Sequence, residues 1–345
     1  MKYTTLPNTT IEVSKICLGT MTFGEQNTEK EAHEMMNCAF EMGINFLDTA
    51  EMYSVPGRKE TQGNSERIIG SWIANQQREK VIVATKVTGP SIGLAYIRKN
   101  MNFSNSSIDD AIEKSLKRLR TDYIDLYQLH WPERNTNFFG KRNYKHDFNE
   151  EWKDNFAAVI DKLNALKNAG KIRSYGVSNE TPWGLMRHLE VSKNKELIRC
   201  STIQNPYSLL NRTFEIGLAE MAIREEVGLM AYSPMAFGSL SGKYLNGNFP
   251  EGSRLKRFPN FSRYNSETAQ VLVEKYSDLA KELNISPAQL ALAFVNHQPF
   301  LSANIIGATN LHQLKENIGS ISIELSEETL KRVDEIQEIQ PNPAP

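Results

Sequence analysis

The chain has 345 residues, with 40 Lys+Arg against 41 Asp+Glu and a formal net charge of −1. A soluble chain of this length can bury about 75% of its unfolded surface. The balanced, interspersed charge gives no footprint for nucleic acid or an anionic membrane, and no run approaches the ~18 apolar residues of a transmembrane helix. Residues 1–13 lack an apolar signal core, and Cys17, Cys38 and Cys200 form no C-x-x-C pair. The expectation is a cytoplasmic globular protein without a disulfide framework or cysteine-type zinc site.

In chain order, residues 1–15 read as a polar hairpin, followed by a strand over Ile16–Gly19. Thr28-x-x-Glu31 is a capping box for a helix with Ala32, Met35, Met36, Ala39 and Phe40 on one face, ended by Gly43. The pattern then repeats. Strands are expected at Ile44–Leu47, Val81–Ala84, Tyr123–Leu129, Ile172–Val177, Thr202–Gln204, Leu229–Tyr232 and Ala303–Gly307. Helices are expected at Ser65–Ala74, from Ser107, at Trp152–Ala169, Pro182–Ser192, Phe214–Val227, within 266–296 and from Leu311. Residues 131–150 and 234–265 read as long loops, and 326–338 as an extra amphipathic helix.

Eight strands alternating with helices imply right-handed crossovers and a parallel sheet. The fold expected is α/β: a (β/α)8 TIM barrel spanning residues 1–345 as one domain. It carries an N-terminal β-hairpin, long loops after strands four and seven, and a C-terminal helix. About 250 residues is typical of such a barrel, and the loops account for the surplus. The alternative is a doubly wound open sheet, which would carry G-x-G-x-x-G after its first strand. Gly19-Thr-Met-Thr-Phe-Gly24 does not have that spacing.

A barrel places functional side chains at the C-terminal ends of its strands. Those positions hold Asp48, Lys86, His130, Ser178, Asn179, Gln204, Tyr232, Ser233, Gly307 and Thr309. Four residues make a chemical set. An Asp beside a Lys fixes the ammonium, and a Lys beside Tyr53 lowers the phenol pKa so that it can give a proton to a carbonyl oxygen. A histidine at the same oxygen orients and polarises it. Lys86 alone could instead be a Schiff-base lysine of an aldolase. Ser178-Asn179 also suits a helix cap. Gly238-Ser-Leu-Ser-Gly242-Lys243-Tyr244 is one residue short of a Walker A loop. The remaining histidines have no ligand spacing, so no metal is expected.

Seven segments stand in register: Gly43-Ile-Asn-Phe-Leu-Asp48-Thr-Ala-Glu-Met-Tyr53, Ala84-Thr-Lys86, Gln128-Leu-His130-Trp131-Pro132, Gly176-Val-Ser178-Asn179, Gln204-Asn-Pro-Tyr207, Ala231-Tyr-Ser-Pro234 and Ile306-Gly-Ala-Thr309. Over roughly residues 10 to 335 the chain resembles the aldo-keto reductases. Thr20-Met-Thr-Phe-Gly-Glu-Gln26 and Gln204–Arg212 are most similar to the bacterial Tas-type branch, related to potassium-channel β subunits.

The resemblance implies NADPH-dependent reduction of an aldehyde or ketone. Tyr53 would be the general acid, Lys86 its tuner, Asp48 the Lys anchor and His130 the carbonyl orienter. It implies that Ser178, Asn179 and Gln204 hold the nicotinamide carboxamide and that Tyr232 stacks on the ring, with Thr20, Met21 and Asp48 also against the cofactor. Ser233, Pro234, Met235, Ala236, Phe237, Gly238 and Lys243 would wrap the pyrophosphate. Arg254, Gly307, Thr309, Gln313, Glu316 and Asn317 would line the adenosine end. Gln313 stands where many members have Arg, so NAD(H) is not excluded beside NADP(H). Trp131, Phe138 and Phe139 would wall the pocket of a small-molecule carbonyl substrate. The alternative from another class is an NADPH-binding redox sensor or scaffold with slow turnover. Substrate identity and oligomeric state are not legible.

Overall fold

The computed structural model describes residues 1–344. A hairpin, β1 (Tyr3–Thr5) and β2 (Glu12–Ser14), precedes eight barrel strands. These are β3 (Ile16–Gly19), β4 (Phe46–Asp48), β5 (Ile82–Val87), β6 (Ile124–Leu129), β7 (Ile172–Ser178), β8 (Cys200–Pro206), β9 (Gly228–Tyr232) and β10 (Leu301–Ile306). Every neighbouring pair is parallel and β10 closes on β3. The helices are α1 (Glu29–Glu41), α2 (Asn64–Ile73), α3 (Asn105–Leu119), α4 (Phe156–Asn168), α5 (Pro182–Asn194), α6 (Phe214–Gly217), α7 (Ala219–Arg224), α8 (Arg254–Arg257), α9 (Glu267–Glu282), α10 (Pro287–His297), α11 (Leu311–Gly319) and α12 (Glu327–Ile339). The expected TIM barrel, its hairpin and its C-terminal helix are therefore present. No helix among the described residues is long and apolar enough to cross a membrane.

The period-two alternation of the strands divides the interior into two cores. Outward residues such as Leu18, Leu47, Val83, Tyr127, Leu129, Leu229 and Ala231 pack with the helix faces, including Ala32, Met35, Met36 and Ala39 of α1. Inward residues Cys17, Phe46, Ile82, Ala84, Leu126, Met230, Ala303 and Ile305 fill the barrel with Leu6, Ile11 and Val13 of the hairpin. The hairpin read as polar thus carries an apolar plug. It sits at the strand starts, where the Asn8 amide donates to the Glu226 carbonyl (3.2 Å) and Asn45 receives the Ser14 N–H (2.7 Å). Two residues further along β4, β5, β6 and β9, the inward positions become Asp48, Lys86, Gln128 and Tyr232. Gly176 lets β7 close on β8, since a Cβ there would stand 2.2 Å from the Thr202 hydroxyl.

Three boundaries differ from expectation. The cap of α3 is Ser104, whose side chain accepts from the Ser107 N–H, so the helix starts at Asn105 rather than at Ser107. Residues 152–155 are not helical, because Glu133 takes the Asn155 amide (2.5 Å) and the Phe103 N–H (2.7 Å) and holds the chain in a loop. The expected helix over 214–227 is two short helices parted at Gly217–Leu218, where Gly is a poor helix former.

Behind β7, His188 of α5 is buried against the rings of Phe156 and Tyr175, and its Nδ1 has no hydrogen-bond partner. Burial, then the charge of Arg134, lower its pKa to about 3. The unfolded chain takes up this proton below about pH 6.5 and the folded chain does not, so stability falls as pH falls through that window. His188→Phe is expected to remove about 2 kcal/mol of the loss between pH 8 and pH 5 in urea titrations. Parallel pH profiles for the variant and the natural chain would refute this.

Candidate active site

At the C-terminal mouth of the barrel, Asp48 ends β4 and Lys86 lies on β5. Both are buried and their side chains form an ion pair, Nζ to Oδ2, of 2.7 Å. The ammonium also donates to the Thr49 carbonyl (2.7 Å). The other carboxylate oxygen, Oδ1, accepts from the amides of Gln204 (2.7 Å) and Gln128 (3.3 Å), which bond to each other at 3.2 Å. Burial pushes the Lys86 ammonium down, but Asp48 and then Tyr53 outweigh it and hold it above the usual lysine range. A Schiff-base lysine needs a neutral amine, so this environment opposes the aldolase alternative.

The Lys86 ammonium lies 5.0 Å from the centre of the Tyr53 ring. The expectation that lysine lowers the phenol pKa is met in sign only. Burial dominates and leaves Tyr53 above its ordinary value, while Lys86, and more weakly Arg254, pull it down. The His130 ring stands 5.9 Å from that of Tyr53. Burial, then Lys86, hold His130 well below the usual histidine value, so it is neutral at physiological pH. Its Nδ1 is buried without a hydrogen-bond partner.

The structure brings Ser178, Asn179, Gln204 and Tyr232 together beside this group. The Ser178 hydroxyl donates to the Gln204 carbonyl (2.8 Å). The Asn179 amide donates to the His130 carbonyl (3.0 Å) and its oxygen accepts from the Tyr232 hydroxyl (2.7 Å). Asn179 takes a left-handed backbone (φ 53°), which asparagine tolerates better than most residues. Thr20 is buried against the Asp48 carbonyl (2.9 Å) and the Ser65 hydroxyl (2.7 Å), while Met21 accepts the Val55 N–H at 2.9 Å through its own carbonyl.

After β9, Ser233, Ala236, Phe237 and Gly238 all have positive φ, with Pro234 and Met235 between them. Such left-handed runs turn backbone N–H groups into a concave, anion-favouring surface. Lys243 adds charge there: a Cβ on Gly238 would stand 2.9 Å from its ammonium. The Arg254 guanidinium lies 5.0 Å from the Phe237 ring centre, and burial lowers its pKa. Arg254 pairs with no carboxylate among the described residues. It lies beside this loop, and its charge acts on Tyr53. An uncompensated cation beside such a loop suits a phosphate group of a dinucleotide.

Thr309 donates through N–H and hydroxyl to Gln313 (3.1 Å each), Asn317 donates to the Gly307 carbonyl (3.2 Å), and Glu316 is half-buried on α11. A Cβ on Gly307 would meet nothing within 4 Å, so the strand end is open. Trp131 is buried, donates to the Pro90 carbonyl (3.0 Å) and packs on His130 and Phe139, with Phe138 behind.

Sequence reasoning left out Gln128, although alternation from Leu126 through Gln128 to His130 puts it inside. It also left out buried Glu51, which is held by Arg98 and accepts the Thr88 N–H (2.6 Å) next to Lys86. No group of three or more potential metal ligands occurs among the described residues.

Asp48→Ala strands a buried ammonium and is expected to cost about 3–5 kcal/mol in thermal or urea unfolding. Adding Lys86→Met should restore more than half of it. Equal losses in the single and double variants would mean that the pair is not the source.

A model described as "Aldo/keto reductase family" matches residues 15–338. "Protein tas" of Escherichia coli is 49% identical over 100% of both chains. "Uncharacterized oxidoreductase YrpG" of Bacillus subtilis is 36% identical, covering 97% of this chain and 96% of its own. "Norsolorinic acid reductase A" of Aspergillus parasiticus is 27% identical over 96% of this chain and 79% of its own.

Proposed function

This chain belongs to the aldo/keto reductase family, and on that premise we propose that it reduces an aldehyde or ketone to an alcohol with NADPH, Tyr53 giving the proton. The observation that carries the reading is the contact of the buried Asp48–Lys86 pair with the Tyr53 ring beside a neutral His130.

The chemistry a nicotinamide dinucleotide supplies when bound is a hydride, two electrons and a proton delivered as one unit to the carbonyl carbon. The chain's residues do the rest. Ser178, Asn179 and Gln204 offer the carboxamide complementary donors and acceptors, and Tyr232 offers a ring face. The loop Ser233–Gly238 with Lys243 and Arg254 takes the phosphates, and Thr309, Gln313, Glu316 and Asn317 take the adenosine. Arg254 and Thr309 support the 2′-phosphate of NADPH over NADH.

His130, being neutral, donates a hydrogen bond to the carbonyl oxygen without competing for the proton. Trp131, Phe138 and Phe139 exclude water around that oxygen. As the oxygen becomes an alkoxide, the Tyr53 hydroxyl transfers its proton and leaves a phenolate. Lys86, held charged by Asp48, stabilises that phenolate. Solvent then returns the proton to Tyr53. Atoms and charge balance: one carbonyl, one hydride and one proton become one alcohol.

Tyr53→Phe is expected to lower kcat by at least about a hundredfold, the size of a lost general acid, while NADPH binding followed by fluorescence changes little. Because burial raises the Tyr53 pKa, the kcat for reduction should stay level across neutral pH and fall only on the alkaline side. Undiminished aldehyde reduction by the variant would remove Tyr53 from its role. Bound NADPH that stays reduced in a rapid mix with reactive aldehydes would favour a sensor.

A further inference from the structure

Glu51 stands between Asp48 and Tyr53 in the chain and is fully buried. It is the first central residue of the turn that the Tyr53 N–H closes on the Ala50 carbonyl (3.0 Å). All four of its polar groups are claimed. Its N–H donates to the Lys86 carbonyl (3.2 Å), two residues after the Thr49 N–H donates to the Ala84 carbonyl (2.9 Å), so pairing with β5 runs on past Asp48. Its carbonyl accepts from the Gln62 side-chain amide (2.6 Å). One carboxylate oxygen accepts the Thr88 N–H (2.6 Å), and Arg98 binds the other.

A turn of this kind accepts most residues at that position, so turn geometry does not call for a buried carboxylate. Taking the charge out of water is costly, and only a full set of partners offsets it. The partners show what the carboxylate joins. Through its N–H and its side chain, Glu51 brackets Lys86 on the backbone of β5. Through the turn, it sets the course of the chain into Tyr53. Arg98 fixes the same point to the helix layer by reaching Asp110 of α3 (3.4 Å). Arg98 also balances the charge of Glu51, and the charges acting most on Tyr53 are those of Lys86, Asp48 and Arg254. Glu51 therefore acts on its neighbours through place, not through its field.

We propose that Glu51 is a positioning residue for the proton transfer: it ties the turn before Tyr53 to the backbone around Lys86 and so holds the ring at its 5.0 Å from the ammonium. The inference rests on the reading of Tyr53 as proton donor. A misplacement of about 1 Å at such a contact can cost on the order of a hundredfold in rate.

Replacing Glu51 alone would strand the buried Arg98, so the two are changed together. Glu51→Leu with Arg98→Met removes the acceptor for the Thr88 N–H, and Glu51→Gln with Arg98→Met keeps one. Both pairs are made in the natural chain and in Tyr53→Phe. NADPH binding is followed by fluorescence and reduction of 4-nitrobenzaldehyde in the steady state, or in single turnovers where it is slow. With Tyr53 present, the Glu51→Leu pair is expected to lower kcat about tenfold or more, with the aldehyde KM and the NADPH Kd within about twofold. The Glu51→Gln pair should recover most of that loss. In Tyr53→Phe the Glu51→Leu pair should change the remaining rate by less than about twofold, because no proton donor is left to misplace. A merely structural role would lower both backgrounds by the same factor. Equal loss in the two backgrounds, a loss carried by KM or NADPH binding, or a Glu51→Gln pair no faster than the Glu51→Leu pair overturns the positioning role and leaves Tyr53 as the acid. Undiminished reduction by Tyr53→Phe alone overturns the acid reading and this inference with it. If the Glu51→Leu pair does not fold, Gln62→Ala, which frees the Glu51 carbonyl and touches no charge, decides by the same comparison, with a fall of about fivefold expected, the worth of one hydrogen bond.

Discussion

The ion pair between Asp48 and Lys86 joins two neighbouring barrel strands in a volume closed to water. Taking two charges out of water costs several kcal/mol for each, and a single contact between them does not repay that reliably. Here the cost is spread over a fixed set of partners. One oxygen of Asp48 serves Lys86, the other serves Gln204 and Gln128, and the Thr49 carbonyl takes another ammonium proton. With its partners saturated, the ammonium stays charged and stays in place. The Tyr53 ring, the His130 imidazole and the amide of Gln204 all take their electrostatic environment from this point.

The same burial acts on the neighbours in opposite senses. It withholds charge from His130, raises the phenol of Tyr53, and makes the Coulombic pull of Lys86 strong enough to matter. A more open site would have a more ordinary tyrosine and a weaker lysine. The layered interior reconciles these demands. Apolar residues fill the lower barrel around the plug, and polar ones begin two residues later on the same strands, so low polarity lies directly beneath the charged pair.

Much of this was legible in the sequence. Period-two strands, capping signals such as Thr28-x-x-Glu31, and polar residues at strand ends led to the barrel and to the Asp48, Tyr53, Lys86 and His130 set. What escaped depends on long-range packing. The helix expected from Trp152 starts after Asn155 because Glu133, some twenty residues away in sequence, claims that amide. The phenol of Tyr53 is raised because the balance between burial and Lys86 is three-dimensional. The Arg254 guanidinium comes to lie over the Phe237 ring beside a loop that coils through four left-handed residues after β9, only one of which is glycine. Gln128 was within reach of alternation, but its glutamine chemistry gains meaning only beside Asp48 and Gln204.

Leu6, Ile11 and Val13 of the hairpin make the barrel a vessel with one end sealed. Everything that reacts at Asp48, Tyr53 and His130 must arrive and leave through the same rim. On the proposed function two ligands would share that doorway, and Ser178 and Gln204, the residues proposed for the carboxamide of one of them, are buried. On that reading the dinucleotide would enter first and the carbonyl compound second, and the alcohol would leave before the dinucleotide. An N-terminal hairpin that touches none of the reacting groups would thus impose the kinetic order of the cycle.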